Sequence, residues 1–427
     1  MCDAEGPSVE QEHAVEGKPR RSLASAAYYP FVVIGLAVLS HGGFALSGQG
    51  FTPFYPFIQD DFDLTRTQVG FVTATIFAAA TVTSSGFGWT IDRFGVRIMA
   101  GSMMILSGLV VASLYFASSF LLLLLIAAVM GSLRPVGHPA GTKAIVDWVG
   151  PKRRGTAMSI KQAGNPILGA LAAALVPPLA VAFGWRIAAV ALGGFIVASG
   201  ILILALYRDK PGTPSRKESS SSFFAGMGKV IRDRDISLAV GFGFPMVGAQ
   251  VATLTYFILF LNDELGVPVI VAGGMLAILQ VANIVMRIGW GVISDTLGKG
   301  RRKPVLFFAG GMTAAVLLIV ALLPEGTPTW ALVLIAIALG GTATSWVSVH
   351  SVLLSELSDP SQIGTTIGYA STVSRTGIVI APPLFGFIAD TASYQAAWMT
   401  LVVAILLGMF FLMPVREGGR NRQPGTD

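Results

Sequence analysis

Residues 88–97 read Gly88-Trp89-Thr90-Ile91-Asp92-Arg93-Phe94-Gly95-Val96-Arg97, a short charged stretch that separates two long apolar segments. A degenerate copy at residues 291–302 reads Gly-Val-Ile-Ser-Asp-Thr-Leu-Gly-Lys-Gly-Arg-Arg, and it also lies between apolar segments. The two copies begin 203 residues apart, close to half of the 427-residue chain. This spacing predicts two related halves with the same order of helices.

The composition assigns the chain to the lipid bilayer. Hydrophobic residues make up 53% of the sequence and charged residues 12%, with a mean hydropathy of +0.70. A soluble globular protein carries about 25% charged residues. We therefore predict an all-α integral membrane protein with twelve transmembrane helices. The predicted spans are residues 29–49, 68–88, 97–117, 119–147, 156–180, 184–207, 237–261, 269–293, 304–323, 330–354, 364–388 and 394–414.

The distribution of basic residues predicts the orientation of these spans. With both termini in the cytosol, 22 of the 29 Lys and Arg residues lie in cytosolic segments and only Arg66 and Arg186 lie outside. Such a bias follows the positive-inside rule. The predicted organisation is a cytosolic tail, a six-helix bundle, a cytosolic linker, a second six-helix bundle and a cytosolic tail, at residues 1–28, 29–207, 208–236, 237–414 and 415–427.

Several classes of protein are disfavoured by the sequence. The net charge of +6 comes from loops between apolar segments, so it does not indicate nucleic-acid binding. Cys2 is the only cysteine, which excludes disulfides and cysteine metal clusters. We expect neither a metal site nor a cofactor, because the histidines are dispersed and no phosphate-binding loop is present. No nucleophile–base pair suggests an enzyme.

Five basic residues lie inside the predicted spans: Arg134, Lys143, Lys161, Arg287 and Arg375. None of the 23 Asp and Glu residues lies in the middle of a span. A charge in hydrocarbon costs several kcal/mol unless it faces a partner, a cavity or water. A chain that accepts this cost for cations and not for anions is expected to bind an organic anion.

With these features the whole chain resembles the major facilitator superfamily, through the G-x-x-x-D-R-x-G-x-R loop, its second copy, twelve spans and a central linker. The resemblance implies two pseudo-symmetric six-helix bundles with a central cavity lined by spans that include 4, 5, 8 and 11. Arg134, Lys161, Arg287 and Arg375 lie on those four spans. The two loops are expected to anchor helix ends and to form gating contacts. The gating candidates are Asp92, Arg93, Arg97, Asp295 and Arg301.

A narrower resemblance concerns the monocarboxylate porter branch. Residues 152–169 are similar to its signature in the fifth span, with Asn165 where that branch has serine. Its pattern in the eighth span is matched by Asn283, Arg287 and Gly291. The resemblance implies that Arg287 binds the substrate carboxylate. Asn283 stands where the branch has the acid that takes part in proton coupling.

Two further positions complete this resemblance. Gln49 stands where the branch has a lysine near the end of the first span. Arg375 is similar to a basic residue in the eleventh span of the oxalate/formate exchanger branch. The candidate substrate-binding residues are therefore Arg287, Arg375, Arg134, Lys161, Asn283, Gln49 and Asn165.

Each intramembrane residue also has a structural interpretation. Arg287 could bind backbone carbonyls or Asn283, and Arg134 could satisfy carbonyls that Pro135 and Pro139 leave free. Lys161 could extend its amine toward the cytosol. Lys143 precedes Asp147 by four residues, and this spacing favours an ion pair on one helix face.

Three histidines lie within spans 1, 4 and 10, which also line the cavity in the family. His41, His138 and His350 are candidates for proton coupling, because histidine titrates near neutral pH. The alternative for each is a hydrogen-bonded structural histidine.

These observations predict a secondary active transporter of a small mono- or dicarboxylate that works by alternating access. Coupling by proton symport and anion exchange both stay open. Efflux of drugs or other organic compounds is one alternative, although cationic drugs would favour a buried acid. A transporter-like nutrient sensor is another. We expect a monomer in the plasma membrane, in contact with lipid and an anionic small molecule.

Overall fold

The computed structural model describes residues 28–84, 87–210, 228–298, 300–359 and 362–417. Within these ranges the regular structure is helical, with no strand, which confirms the predicted all-α membrane class. Most of the predicted tails and of the predicted linker lies outside the described residues. The boundaries of the five predicted regions therefore stay a prediction.

The helices fall into two groups in chain order. The first helix group comprises α1 (Tyr29–Leu46), α2 (Tyr55–Phe62), α3 (Arg66–Thr83), α4 (Phe87–Phe94), α5 (Val96–Ala112), α6 (Phe120–Leu133), α7 (Gly137–Trp148), α8 (Pro151–Phe183) and α9 (Trp185–Leu206). A short helix, α10 (228–232), follows. The second helix group comprises α11 (Arg234–Asp263), α12 (Val269–Asp295), α13 (Lys303–Ala321), α14 (Thr329–Thr342), α15 (Val347–Leu357), α16 (Ile363–Thr391) and α17 (Tyr394–Leu412).

Eleven helical segments of the described residues are long and apolar enough to cross a membrane. Of the twelve predicted spans, the second is the one that these eleven segments do not include. It is divided into α3 and α4, which the structure describes on either side of residues 85–86. Its residues are more polar than those of the other spans, because Thr recurs along α3 and Arg66 begins it.

Helices α5 and α9 approach each other closely through glycines. A Cβ atom added to Gly108 would lie 2.6 Å from the carbonyl oxygen of Gly193, and one added to Gly193 would lie 2.5 Å from the carbonyl oxygen of Gly108. Neither position has room for a side chain. Lipid offers little hydrophobic driving force between helices, so close van der Waals contact of this kind holds them together.

Two helix pairs join the first group to the second. Helix α3 packs along α16, and α8 packs along α12. Prolines lie inside two of these helices, at positions 166, 177 and 178 of α8 and at 382 and 383 of α16. Each proline removes one backbone donor and leaves a carbonyl of the preceding turn without its helical partner. The interface between the groups therefore contains backbone acceptors that other residues can use.

Candidate functional site

A cavity of about 330 Å³ lies between the two helix groups. Its walls come from α1, α3, α7, α8, α11 and α16, together with two 3₁₀ segments, Gln49–Phe54 and Arg134–Val136. A volume of this size suits a small ligand. Six of the residues predicted from the sequence line it: His41, Gln49, Arg134, His138, Asn165 and Arg375. Among its described lining residues none is acidic.

Arg134 enters the cavity from the turn that joins α6 to α7. Its guanidinium lies over the ring of Phe77, 4.6 Å from the ring centroid. Its Nε is buried, and no described residue accepts a hydrogen bond from it. Among the described residues Arg134 donates no hydrogen bond to the carbonyls that Pro135 and Pro139 leave free, so that alternative is not supported. A buried guanidinium donor without a partner is suited to an anionic ligand.

Arg375 reaches the same cavity from α16, in the second helix group. Its Nη1 donates a hydrogen bond to Ser84 Oγ at 2.6 Å, and Ser84 follows the last residue of α3. Arg375 also interacts electrostatically with Arg134. The cavity therefore has a guanidinium from each helix group and a positive potential between them.

His41 and His138 form a pair at the cavity wall. Their ring centroids lie 5.8 Å apart in an edge-to-face arrangement. His41 also interacts electrostatically with Lys161, Arg134 and Arg287. The structure thus brings together two of the three histidines proposed for proton coupling. His350 lies elsewhere: it is buried, and its Nε2 lies 2.9 Å from the carbonyl oxygen of Ala239.

Arg287 and Asn283 are not among the residues that line this cavity. Both lie on α12, and both have a buried polar atom, Nε of Arg287 and Oδ1 of Asn283, without a hydrogen-bond partner among the described residues. Among the described residues the Arg287 side chain donates no hydrogen bond to Asn283 or to a backbone carbonyl, the two partners of its structural interpretation. The role of Arg287 in binding a carboxylate stays a prediction, and the geometry supports Arg134 and Arg375 more directly.

Lys161 is buried between α7 and α8 and does not line the cavity. Only 1% of the residue is exposed, which argues against the structural alternative that its amine extends toward the cytosol, and its role in substrate binding stays a prediction. Its Nζ donates to Thr142 Oγ1 at 2.7 Å and to the carbonyl oxygen of His138 at 3.4 Å. Since His138 lines the cavity, Lys161 contributes positive charge next to the site and fixes the backbone of a wall residue.

Lys143 forms a salt bridge with Asp92, with Nζ 2.6 Å from Oδ1. The sequence predicted Asp147 as its partner, so that prediction is wrong. The i,i+4 spacing identified a neighbour on the same helix, but Asp92 in the repeated loop lies closer in space. The pair joins α4 to α7, within the first helix group.

The second copy of the loop forms a comparable contact. Asp295 pairs with Arg302, whose Nη1 lies 2.5 Å from Oδ1, and Arg302 Nε lies 3.2 Å from Glu356 Oε1. The two carboxylates raise the pKa of Arg302 above its ordinary value. Arg301, which the sequence named as a gating candidate, is exposed, and its role in gating stays a prediction.

The other two basic residues of the first loop contact the first helix group. Arg97 Nε donates to the carbonyl oxygen of Leu204 at 2.7 Å, which ties α5 to α9. The guanidinium of Arg93 lies 5.3 Å from the centroid of the Trp89 ring. The Arg97 contact joins the start of α5 to the end of α9, whereas the Arg93 contact lies within α4. Whether they change during gating stays a prediction.

The sequence reasoning missed Gln250 and the hydroxyl groups of the cavity wall. Gln250 lies on α11 and lines the cavity with Thr255 and Thr73. Thr73 Oγ1 lies 2.6 Å from Tyr55 Oη and 3.5 Å from Thr255 Oγ1. The signal for Gln250 was available, since it is the one glutamine within the seventh predicted span.

The two helix groups also meet where α3 begins and α16 ends, at the face predicted to be outside. Asp390 Oδ1 accepts from the backbone N–H of Arg66 at 3.0 Å. Asp390 Oδ2 accepts from the backbone N–H and the hydroxyl of Thr67, at 2.8 and 2.6 Å. We call this contact, Asp390 with Arg66 and Thr67, the Asp390 cap. It places a carboxylate of one group at the positive N-terminus of a helix in the other.

Further contacts surround the Asp390 cap. The Tyr256 hydroxyl lies 2.8 Å from the carbonyl oxygens of both Arg66 and Pro382. The guanidinium of Arg66 lies 4.3 Å from the centroid of the Tyr394 ring. A Cβ atom added to Gly70 would lie 2.5 Å from the Pro382 oxygen, so glycine is required where α3 meets α16. These contacts hold the predicted outer ends of the two groups together.

Comparison with known proteins agrees with this architecture. The family model described as Major Facilitator Superfamily matches residues 37–351 and 299–427. The chain belongs to this superfamily of membrane transporters and is not an enzyme. The structure of a bacterial homolog of the human lysosomal transporter Spinster, in an inward-facing and occupied conformation, is similar with a TM-score of 0.76 and 17% sequence identity. The match covers 91% of this chain and 97% of that one.

Two curated relatives are similar over most of their length. An uncharacterized MFS-type transporter of Mycobacterium tuberculosis is 27% identical over 91% of this chain and 85% of its own length. The hexuronate transporter of Bacillus subtilis is 23% identical over 84% of this chain and 89% of its own length. Transport of a small molecule across a membrane is therefore the general function.

Proposed function

We propose that this major facilitator superfamily protein is a secondary active transporter of a small organic anion, and that Arg134 and Arg375 bind the carboxylate of its substrate. The observation that carries the proposal is the presence of both guanidiniums in one cavity without an acidic lining residue among those described. Each guanidinium could bind a carboxylate through paired N–H donors. The similarity to a hexuronate transporter, a carrier of an organic acid, supports the same class of substrate.

The arrangement of the arginines also suits alternating access. Arg134 belongs to the first helix group and Arg375 to the second, so a bound anion would contact both. Without the anion, two positive charges repel each other across the interface. Binding would therefore reduce the electrostatic cost of bringing the two groups together around the site.

Coupling to a proton or to a counter-anion follows from the same site. No carboxylate lines the described cavity wall, so a proton carried by the protein would reside on His41 or His138. Exchange of one anion for another needs no such group. We place the protein in the plasma membrane with both termini in the cytosol, as a monomer, on the distribution of its basic residues and its family.

Counterflow in proteoliposomes tests the proposal. The purified protein would be tested with mono- and dicarboxylates, with and without an imposed pH gradient. Arg134→Gln and Arg375→Gln should each lower anion transport about 10- to 150-fold, which corresponds to losing one charge-assisted hydrogen bond of about 1.5–3 kcal/mol. Lys152→Gln, which removes an exposed positive charge from the first turn of α8, should leave transport unchanged.

Two results would overturn this proposal. One is the absence of transport for every carboxylate, and the other is wild-type transport by both arginine variants. Uptake that a pH gradient drives, and that His41→Gln or His138→Gln abolishes, would select proton symport. Uptake that requires an internal anion would select exchange. Export of cationic drugs has no support from the cavity, since none of its described lining residues carries a negative charge.

A further inference from the structure

The cavity wall contains two amide oxygens that have no partner. Asn165 Oδ1 on α8 and Gln250 Oε1 on α11 are buried, and neither accepts a hydrogen bond from a described residue. A buried carbonyl oxygen without a donor is costly, so such groups are normally completed by another molecule. Both residues line the cavity, so a molecule bound there is placed to supply these donors.

Several neighbouring polar groups of the wall are already paired. Thr73 contacts the hydroxyls of Tyr55 and Thr255, and Gln49 Oε1 accepts from Gln280 Nε2 at 3.3 Å. Among the buried side-chain oxygens of the described cavity wall, the two without a partner come one from each helix group. The lack of a hydrogen-bond partner therefore distinguishes the Asn165 and Gln250 oxygens from the paired side chains of the wall.

A carboxylate cannot satisfy these two oxygens, because it has only acceptors. The carboxylate is also already matched by the N–H donors of Arg134 and Arg375. A ligand that satisfies the whole site must therefore carry donors elsewhere in its structure. An ammonium donor would be repelled by the two guanidiniums, whereas a hydroxyl is neutral. A hydroxyl also both donates and accepts, so it matches either orientation of an amide side chain.

We infer that Asn165 and Gln250 recognise hydroxyl groups of the substrate, so that the site selects hydroxylated carboxylates over carboxylates of equal length without hydroxyls. This inference rests on the proposed function and names the substrate class more narrowly. The cavity of about 330 Å³ limits the ligand to a small molecule. The two amides specify the part of the substrate that the arginines do not contact, and each helix group contributes one of them.

Binding to the detergent-solubilised full chain tests the inference, with isothermal titration calorimetry as the measurement. Two matched pairs of ligands serve as probes: glycerate against propionate, and gluconate against hexanoate. Wild type should bind the hydroxylated member of each pair at least about tenfold more tightly, because the analogue leaves a buried amide unpaired. Gln250→Leu and Asn165→Leu should each reduce this preference to less than about threefold.

The control is Val251→Leu, which changes the bulk of the cavity wall and removes no polar group. It should keep the preference of wild type. Failure of every carboxylate to bind would overturn the proposed function. Equal binding within both pairs by wild type would overturn this inference alone, even if the leucine variants did not fold. A preference that survives in both folded leucine variants would also overturn the assignment to Asn165 and Gln250.

Discussion

Removal of the Asp390 cap should shift the protein toward a conformation in which the predicted outer ends of the helix groups are apart. The Asp390 carboxylate accepts three hydrogen bonds, from the backbone N–H groups of Arg66 and Thr67 and from the Thr67 hydroxyl. These bonds join α16 to α3, so they exist only while the two groups are in contact. Thr65 and Gln68 cap the same helix from within the first group and would remain in either conformation.

The expected free-energy change follows from the role of the Asp390 carboxylate as a helix cap. Loss of a side chain that caps a helix N-terminus costs about 0.5–2 kcal/mol. Asp390 is exposed to solvent, which screens its charge, so the range for a single cap is more appropriate than a sum over three charged hydrogen bonds. This range corresponds to about a 2- to 30-fold change in the ratio of the two conformations. We expect Asp390→Ala to change that ratio about tenfold.

Distances between spin labels measure the ratio. In a Cys2→Ser background, labels at Asp60→Cys and Glu325→Cys report on the predicted outer ends of the first and second groups. Both positions are exposed. Double electron–electron resonance on protein in lipid nanodiscs should show a larger fraction of long distances for Asp390→Ala than for the protein with Asp390 intact. Thr67→Val, which removes one of the three hydrogen bonds, should give a smaller shift in the same direction.

The control is Glu264→Gln, which removes an exposed negative charge near the same face. It should leave the distances unchanged. The two cap substitutions should also be non-additive, because Thr67 acts through Asp390. A distance distribution for Asp390→Ala that matches the control would refute the reasoning. Full additivity of Asp390→Ala and Thr67→Val would show that the hydroxyl and the carboxylate do not act together.

Two further predictions concern the first helix group. Gly108→Ala should lower the melting temperature of the solubilised protein, since its new Cβ would lie 2.6 Å from the Gly193 oxygen. Gly35→Ala is the control and should not lower it, because its new Cβ meets no atom within 4 Å. Equal melting temperatures for the two variants would contradict the packing argument. Asp92→Lys and Lys143→Asp should each destabilise the protein by about 1 kcal/mol, because each places like charges together. The double exchange should restore the melting temperature. Failure of the double exchange to restore it would show that the salt bridge does not contribute to stability.

The sequence was sufficient for the membrane class, the repeated loops and the presence of arginines within the spans. These depend on composition and on spacing along one helix, which a sequence records directly. Partners across helices were harder to predict. Lys143 pairs with Asp92, 51 residues away, and not with Asp147 on its own helix. Arg302, which pairs with Asp295, was not among the gating candidates named from the sequence.

The cavity shows the same limit. Arg134, Arg375, Gln49 and Asn165 were named from the sequence and line it, whereas Lys161 does not. The polarity of these residues was visible, but the side of each helix that faces the cavity depends on how the helices are rotated. Asp390 was missed for another reason. Its partners lie 323 and 324 residues earlier in the chain, and no local pattern connects them.

The cavity and the Asp390 cap should act on different steps of transport. Helix α16 contains both Arg375 and Asp390, yet Arg375 lies at the cavity and Asp390 lies fifteen residues further, near the end of the helix. If the arginines bind the anion, substituting them should change which anions bind and how tightly. Substituting Asp390 should change how readily the outer ends separate, and hence the rate of transport for every substrate in proportion. A change in the ranking of anions for Asp390→Ala would contradict this separation of roles.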